Sequence, residues 1–237
     1  MPRTFAIGDV HGCHVALTTL LDVICPNGDD RLIFLGDYVN RGDNSKGVLD
    51  TLMSLSKSCQ TVFVMGNHEF IMLDGLKYRD DFEFWLGVGG DKTLQSFGLL
   101  PVRSECWHLP FAYVDFLRQT VDYFETKDFI FCHAFIYHHL PMNEQNDYAL
   151  RWRKLRHDHL PHDSGKTVIC GHTEQRNGQI LSLNDGKIIC IDTWACGGGC
   201  LSALQVSGDD GMILYQADNL GNSSVSKLDI ASLSSRI

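Results

Sequence analysis

Apolar positions along the 237-residue chain fall into two textures. Short runs rich in branched and aromatic residues have the length of strands: Thr4 to Ile7, Arg31 to Leu35, Thr61 to Met65, Phe129 to Cys132, Thr167 to Cys170, Lys187 to Ile191, Leu201 to Val206 and Met212 to Gln216. Between the first three, Val15, Leu17, Leu20, Leu21 and Ile24, then Val48, Leu49, Leu52 and Leu55, recur at helical spacing. The first half therefore reads β-α-β-α-β, which predicts a parallel sheet in a mixed α/β fold with helices outside. From Glu69 to about Phe124 the pattern is helical and aromatic-rich, an insert of about 69–124. The later strands alternate with Gly and Asn turns, which predicts antiparallel pairing. The Ser-rich residues 219–237 lack a strong period and read as a loosely docked tail behind a single domain spanning 1–218.

Charge and composition narrow the class. With 20 Lys+Arg against 29 Asp+Glu the formal charge is −9, which argues against a general nucleic-acid binder, and 44% hydrophobic residues suffice for a core. No apolar run approaches the roughly 18 residues that cross a bilayer, and the first residues hold no apolar signal core. Nine cysteines, an odd number without a Cys-x-x-Cys pair, predict buried thiols in a reducing cytoplasm. His157, His159 and His162 lie among Pro and Asp and predict an exposed loop rather than a metal site. Gly165-Lys166-Thr167 precedes a strand instead of a helix and lacks the spaced glycine of a phosphate-binding loop.

The chemistry sits at strand ends. Ile7-Gly-Asp9-Val-His11-Gly12, Leu35-Gly-Asp37-Tyr-Val-Asn40-Arg41-Gly42 and Met65-Gly-Asn67-His68-Glu69 each follow a strand, and Cys132-His133 and Gly171-His172 follow two more. In a parallel sheet these loops gather at one edge, where open α/β sheets bind ligands. Carboxylate, imidazole and amide oxygen without cysteine suit manganese, iron or zinc. Seven such residues exceed the needs of one ion, so the set predicts two ions sharing a carboxylate, an arrangement that clamps a phosphoryl group during in-line displacement. Arg41 beside them suits bidentate contact with phosphate oxygens.

These motifs, Gly8-Asp-x-His-Gly12, Gly36-Asp-x-x-Asn-Arg-Gly42, Gly66-Asn-His-Glu69, His133 and Gly171-His172, resemble the signature of the calcineurin-like metallophosphoesterases. Within that group they resemble the phosphoprotein phosphatase branch in its bacterial and bacteriophage form, over roughly residues 5–206. The resemblance implies a four-layer sandwich of two mixed sheets flanked by helices. It further implies that Asp9 and His11 bind one ion, Asp37 bridges, and Asn67, His133 and His172 bind the second, with manganese first among the candidate metals. His68 would protonate the leaving group, and Arg41 and Arg153 would hold phosphate, with Arg151 as the alternative because the neighbouring Trp152 is displaced by one position from the family pattern. The implied activity is serine/threonine protein phosphatase, by direct attack of a metal-bridging hydroxide on a phosphorylated protein or peptide, releasing inorganic phosphate in the cytoplasm.

Two departures matter. Asn40 stands where the family's second motif usually carries the Asp that pairs with the catalytic His, and the neutral amide is expected to orient His68 by accepting its hydrogen bond without stabilising an imidazolium. Trp194, after Asp192-Thr193, replaces an expected glycine near the mouth of the site. The symmetrical diadenosine-tetraphosphate hydrolases resemble the same family and also lack the Asp, which makes them the alternative activity, beside broad-specificity phosphatase action. A catalytically silent scaffold would have no use for the complete ligand set.

Overall fold

A computed structural model describes residues 2–100, 109–207 and 211–229. Each of the eight predicted strands forms, with ends moved by no more than two residues. In chain order the elements are β1 (Thr4–Ile7), α1 (His14–Ile24), β2 (Arg31–Phe34), α2 (Ser45–Leu55), β3 (Gln60–Phe63), α3 (Asn67–Gly75), α4 (Arg79–Trp85), α5 (Asp91–Ser96), α6 (Phe111–Arg118), β4 (Tyr123–Glu125), β5 (Phe129–Cys132), α7 (Asp147–Trp152), β6 (Thr167–Cys170), β7 (Leu181–Leu183), β8 (Ile188–Cys190), β9 (Leu201–Ser207), β10 (Ile213–Ala217) and β11 (Ser223–Lys227). The predicted helical insert is therefore α3 to α6, and its residues 101–108 lie outside the described residues.

The strands make two sheets, ordered β11-β10-β9-β1-β2-β3 and β4-β5-β6-β8-β7. The predicted parallel pairing of β1, β2 and β3 is present. The antiparallel expectation holds for β9 and β10 but not for β8, which runs parallel to β6 and antiparallel only to β7. Three strands went unforeseen. β4 and β7 have three residues each, too few for a period to register, and β11 is a fully exposed polar edge strand held by its backbone pairing with β10. Part of the expected loose tail is thus paired, while residues 230–237 lie outside the described residues.

Alternation along the strands builds three apolar layers. Phe5, Ile7, Leu32 and Phe34 point to α1 and α2 and pack with Leu17, Leu20, Val48 and Leu52. Their neighbours Ala6 and Ile33 point the other way and meet Phe131, Ile169 and Ile189 of the second sheet. The outer face of that sheet, with Ile130, Cys132, Val168, Cys170 and Cys190, packs under Phe135 and Leu150. Both faces of each sheet are covered, which is why the strands read as continuous apolar runs. Cys13, Cys132, Cys170 and Cys190 therefore serve as small core residues, whereas Cys25 is exposed, contrary to expectation, and Cys59, Cys196 and Cys200 are half-buried free thiols.

The approach to β2 is anchored by buried Asp30, whose carboxylate accepts hydrogen bonds from the Arg3 backbone N–H and guanidinium and from the Asn27 N–H. The Arg3 and Asn27 bonds hold its carboxyl below the usual range despite the opposing effect of burial. A depressed carboxylate stabilises the fold above its unfolded pKa, and that contribution is lost as pH falls through the folded value. Asp30→Asn is therefore expected to lower stability by about 1–3 kcal/mol at pH 7 and to show a flatter acid-side decline in urea midpoints. Parallel declines for variant and wild type would remove Asp30 from acid unfolding.

Candidate active site

The loops following β1, β2, β3, β5 and β6 converge where the two sheets meet, as their strand-end motifs predict. Sheet two is tied to sheet one there: His133 Nδ1 bonds the Leu35 carbonyl at 2.8 Å, and the His172 N–H donates to both oxygens of Asp9 at 3.0 and 3.1 Å. The backbone is strained in these loops. His11, Asp37, Asn40, Arg41, His172 and Trp194 all have positive φ, between 45° and 71°, a region costly for residues with a side chain and characteristic of functional sites. Gly36, at φ 106°, cannot be replaced, because a Cβ there would meet the Gly66 backbone at 2.6 Å and His133 Nδ1 at 2.9 Å.

Hydrogen bonding assigns the histidines two kinds of role. A carbonyl oxygen can only accept, so the ring nitrogen facing it carries the proton and the other offers a lone pair. His11 spends Nδ1 on the Val39 carbonyl, His133 spends Nδ1 on that of Leu35, and His172 spends Nε2 on that of Trp152. The remaining nitrogens, Nε2, Nε2 and Nδ1, are left as acceptors, the arrangement typical of metal-ligating imidazoles. His68 differs, because its Nδ1 faces the amide nitrogen of Asn40 at 2.8 Å.

The donor atoms gather around Asp37. His11 Nε2 lies 3.4 Å from Asp37 Oδ2 and His133 Nε2 lies 3.5 Å from Asp37 Oδ1, with Asn67 Oδ1 at 3.0 Å from His133 Nε2. Two groups whose donor atoms lie close enough to hold an ion result among the described residues, His11–Asp37–His68 and Asp37–His133–His172, and they share Asp37; the predicted ligand Asp9 is in neither, and His68, predicted as the acid, is in the first. Burial lowers the basicity of every imidazole here, to about 3 for His133 and His172. Burial also pushes the carboxyls up, Asp37 to about 7, and that of Asp9 is raised further by neighbouring Asp192 and Asp37. Neutral imidazole lone pairs beside desolvated carboxylates make a cage short of positive charge, which two divalent cations would supply. The residues present thus fit the metals that the sequence motifs imply.

Of the predicted phosphate ligands, Arg41 is in place: its Nη1 lies 3.0 Å from His11 Nε2, and a cleft of about 310 Å³ opens beside it, lined also by His14, Asp43 and Asn44. Arg153 is not brought to the cluster. Its guanidinium stacks over Phe135 at 4.5 Å and Tyr137 at 5.0 Å. The alternative, Arg151, is buried in ion pairs with Asp122 and Asp147. His159 and His162, expected on an exposed loop, are buried: His159 packs on Phe135, and His162 bonds Ser164 and the Leu140 carbonyl. Trp194 lies half-buried under the Arg176 guanidinium.

Sequence reasoning missed two acids. Asp192 follows β8 as the candidate donors follow their strands, is buried, and has its carboxyl raised to about 6 by burial; its signal was another strand ending in a carboxylate, without the glycine. Glu69 is buried and collects the backbone N–H groups of Asp37, Tyr38, Val39 and Gly66.

Known proteins resemble this chain to different extents. The symmetrical bis(5'-nucleosyl)-tetraphosphatase of Coxiella burnetii is 46% identical over 90 residues, 36% of this chain and 30% of that protein. The enzyme of the same name from Nitrosomonas europaea is 45% identical over 71 residues, 30% of this chain and 26% of that protein. The match spans under a third of the length of these curated relatives. Among solved structures, a candidate diadenosine tetraphosphatase superposes with a TM-score of 0.67 at 23% identity over 92% of this chain and 96% of that one. A cold-active protein-tyrosine phosphatase of a Shewanella species gives 0.65 at 17% over 95% and 80%, and a serine/threonine phosphatase of Saccharomyces cerevisiae gives 0.57 at 15% over 96% and 82%. At these identities the likeness carries the fold alone, the two-sheet sandwich with outer helices. Residues 2–176 match the calcineurin-like phosphoesterase family, and with its strand-end ligands converging on a shared Asp37 the chain belongs to that family.

Proposed function

We propose that this protein hydrolyses a phosphoanhydride of a dinucleoside polyphosphate, as a symmetrical bis(5'-nucleosyl)-tetraphosphatase, using two divalent cations. The observation that carries the phosphoryl-transfer chemistry is the pair of ligand groups joined through Asp37, and the dinucleotide substrate is supported by the curated relatives. Those relatives favour it over the phosphoserine or phosphothreonine substrate that the motifs first suggested.

In this reading Asp9 and His11 would hold one ion and Asn67, His133 and His172 the other, with Asp37 shared. When bound, the ions supply Lewis-acid polarisation of the phosphoryl oxygens and activation of a water. The protein's own part is placement. The carbonyls of Val39, Leu35 and Trp152 fix the tautomers of the three ligand histidines, Arg41 neutralises a phosphate oxygen, and His68 donates a hydrogen bond toward the leaving oxygen. The cleft beside Arg41 gives an adjoining phosphate or nucleoside a place to lie. Manganese is the proposed ion, the cytoplasm the proposed compartment, and nucleotides rather than nucleic acid or membrane the proposed partners; among the described residues no helix is long and apolar enough to cross a membrane.

Treatment with a chelator is expected to abolish turnover of diadenosine tetraphosphate, and Mn²⁺ to restore it with ADP as the sole nucleotide product on ion-exchange chromatography. Restored protein that releases ATP and AMP, or that acts on a phosphoserine peptide and leaves the dinucleotide intact, would overturn the reading.

A further inference from the structure

The hydrogen bonds around Asn40 run opposite to the expectation for that position. Asn40 is fully buried, and its side-chain Oδ1 receives the Trp85 indole N–H at 2.9 Å and the Thr93 hydroxyl at 2.9 Å. An indole nitrogen only donates, so the atom facing it is the amide oxygen and the orientation of the amide is settled. The other end, Nδ2–H, therefore donates to His68 Nδ1 at 2.8 Å. Asn40 does not accept from His68. It donates, which consumes the Nδ1 lone pair and leaves the single ring proton on Nε2. The backbone is locked in the same network, because the Asn40 N–H donates to Thr93 Oγ1 at 2.9 Å and to Ser45 Oγ at 3.2 Å. Trp85, Thr93 and Ser45 are themselves buried.

The consequence concerns the leaving group. An imidazole that gives up its only proton becomes an imidazolate, and the Asn40 amide neither supplies a proton to Nδ1 nor vacates its lone pair. An aspartate at position 40 would instead accept from Nδ1–H and stabilise the imidazolium, the state that delivers a proton. We propose that Asn40, oriented by Trp85 and Thr93, fixes His68 as a hydrogen-bond donor rather than a proton donor and so confines the enzyme to substrates whose leaving oxygen departs as a stable anion, phosphoanhydrides and acidic esters in preference to alkyl phosphomonoesters. In the favoured step the oxygen of water bonds to phosphorus, the P–O bond to the leaving group breaks with its electron pair on the leaving oxygen, and the proton of water passes to solvent. A departing phosphate, with a second pKa of about 6, needs no proton at neutral pH, whereas an alkoxide, near water's value of about 15.7, does. Trp85 and Thr93 are positioning residues in this scheme, and they give the helical segment from α4 to α5 a part in specificity.

The inference rests on the reading that His68 faces the leaving oxygen of a dinucleotide. Its test compares kcat/KM of the Mn²⁺-loaded full chain for diadenosine tetraphosphate, for aryl phosphates of graded leaving-group acidity and for phosphoserine, in wild type and Asn40→Asp. Wild-type rates are expected to rise steeply with leaving-group acidity, and Asn40→Asp to raise the phosphoserine-to-dinucleotide ratio by roughly 10²- to 10⁴-fold, the usual contribution of a general acid. Nitrogen-15 spectra of the zinc-loaded wild type are expected to place the His68 proton on Nε2. An unchanged ratio in folded Asn40→Asp, a shallow wild-type dependence, or a proton on Nδ1 would overturn the proposal. Failure on the dinucleotide alone, with the aryl series and the variant behaving as expected, would instead overturn the dinucleotide reading and leave the leaving-group rule standing.

Discussion

Asp37→Asn is expected to lower kcat/KM roughly a thousandfold or more, the several kcal/mol of charge stabilisation that a correctly placed metal pair supplies. Asp37 is the residue common to both ligand groups, so its charge cannot be replaced by a neighbour. Asparagine keeps the shape and an oxygen that can accept the His68 N–H, a 3.0 Å bond in the wild type, and it loses the negative charge and one of the two oxygens that two cations would share. Burial pushes the Asp37 carboxyl up to about 7 because that charge is costly without a cation. Removing it is therefore expected to leave the thermal midpoint of the metal-stripped protein equal or higher, while metal analysis of the reconstituted variant shows fewer than the two bound ions of the wild type. The divergence of stability and activity separates loss of the metal centre from loss of the fold. A variant that retains its ions and a tenth of its activity would show that Asp37 does not bridge.

How far such a centre could be read from sequence depended on how local its signals were. Asp9, His11, Asp37, Asn67, His133 and His172 could be picked out as candidates because each follows an apolar run within a few residues, so finding the strands also found the candidate donors. The Asp37 loop was legible in its residue types but not in its wiring. That Asn40 donates rather than accepts depends on Trp85 and Thr93, 45 and 53 residues away in a helical segment whose packing no periodicity specifies. Asp192 escaped for a different reason: it lies beside Asp9 through the pairing of β8 with β6, and a strand of three residues gives little notice of its end. The partners of the basic stretch around Trp152 were not legible, since sequence offers a cationic side chain and the fold places Arg153 over aromatic rings and pairs Arg151 with carboxylates. Local patterns thus located the candidate donors, while hydrogen-bond direction and long-range partners set what those residues can do.

Glu69→Ala is expected to produce the largest loss of stability of any single substitution in the site. The Glu69 carboxylate is completely buried and lies in the first turn of α3, where the helix dipole favours its charge. One oxygen, Oε2, accepts from the Asp37 N–H at 2.7 Å and the Gly66 N–H at 3.1 Å, and the other, Oε1, accepts from Tyr38 at 2.7 Å and Val39 at 3.3 Å. It joins the loop after β2 to the start of α3, holding Asp37 at its positive φ of 53°. Truncation to alanine strands four buried donors, each at about 1–3 kcal/mol when left unsatisfied. Even with water entering the space, a loss of at least about 4 kcal/mol follows, a large part of the 5–15 kcal/mol typical of a folded domain. The check is urea unfolding of wild type and variant under identical metal-free conditions, with an unchanged m-value showing that the same fold is lost. Glu69→Gln is expected to fall well below wild type despite its near-identical shape, because one end of its amide would set N–H against N–H. If either variant unfolded within about 1 kcal/mol of wild type, the Asp37 loop would have to be held by its other bonds, among them the Val10 and His11 N–H groups donating to the Asp37 carbonyl and the Tyr38 hydroxyl donating to the Val64 carbonyl at 2.5 Å.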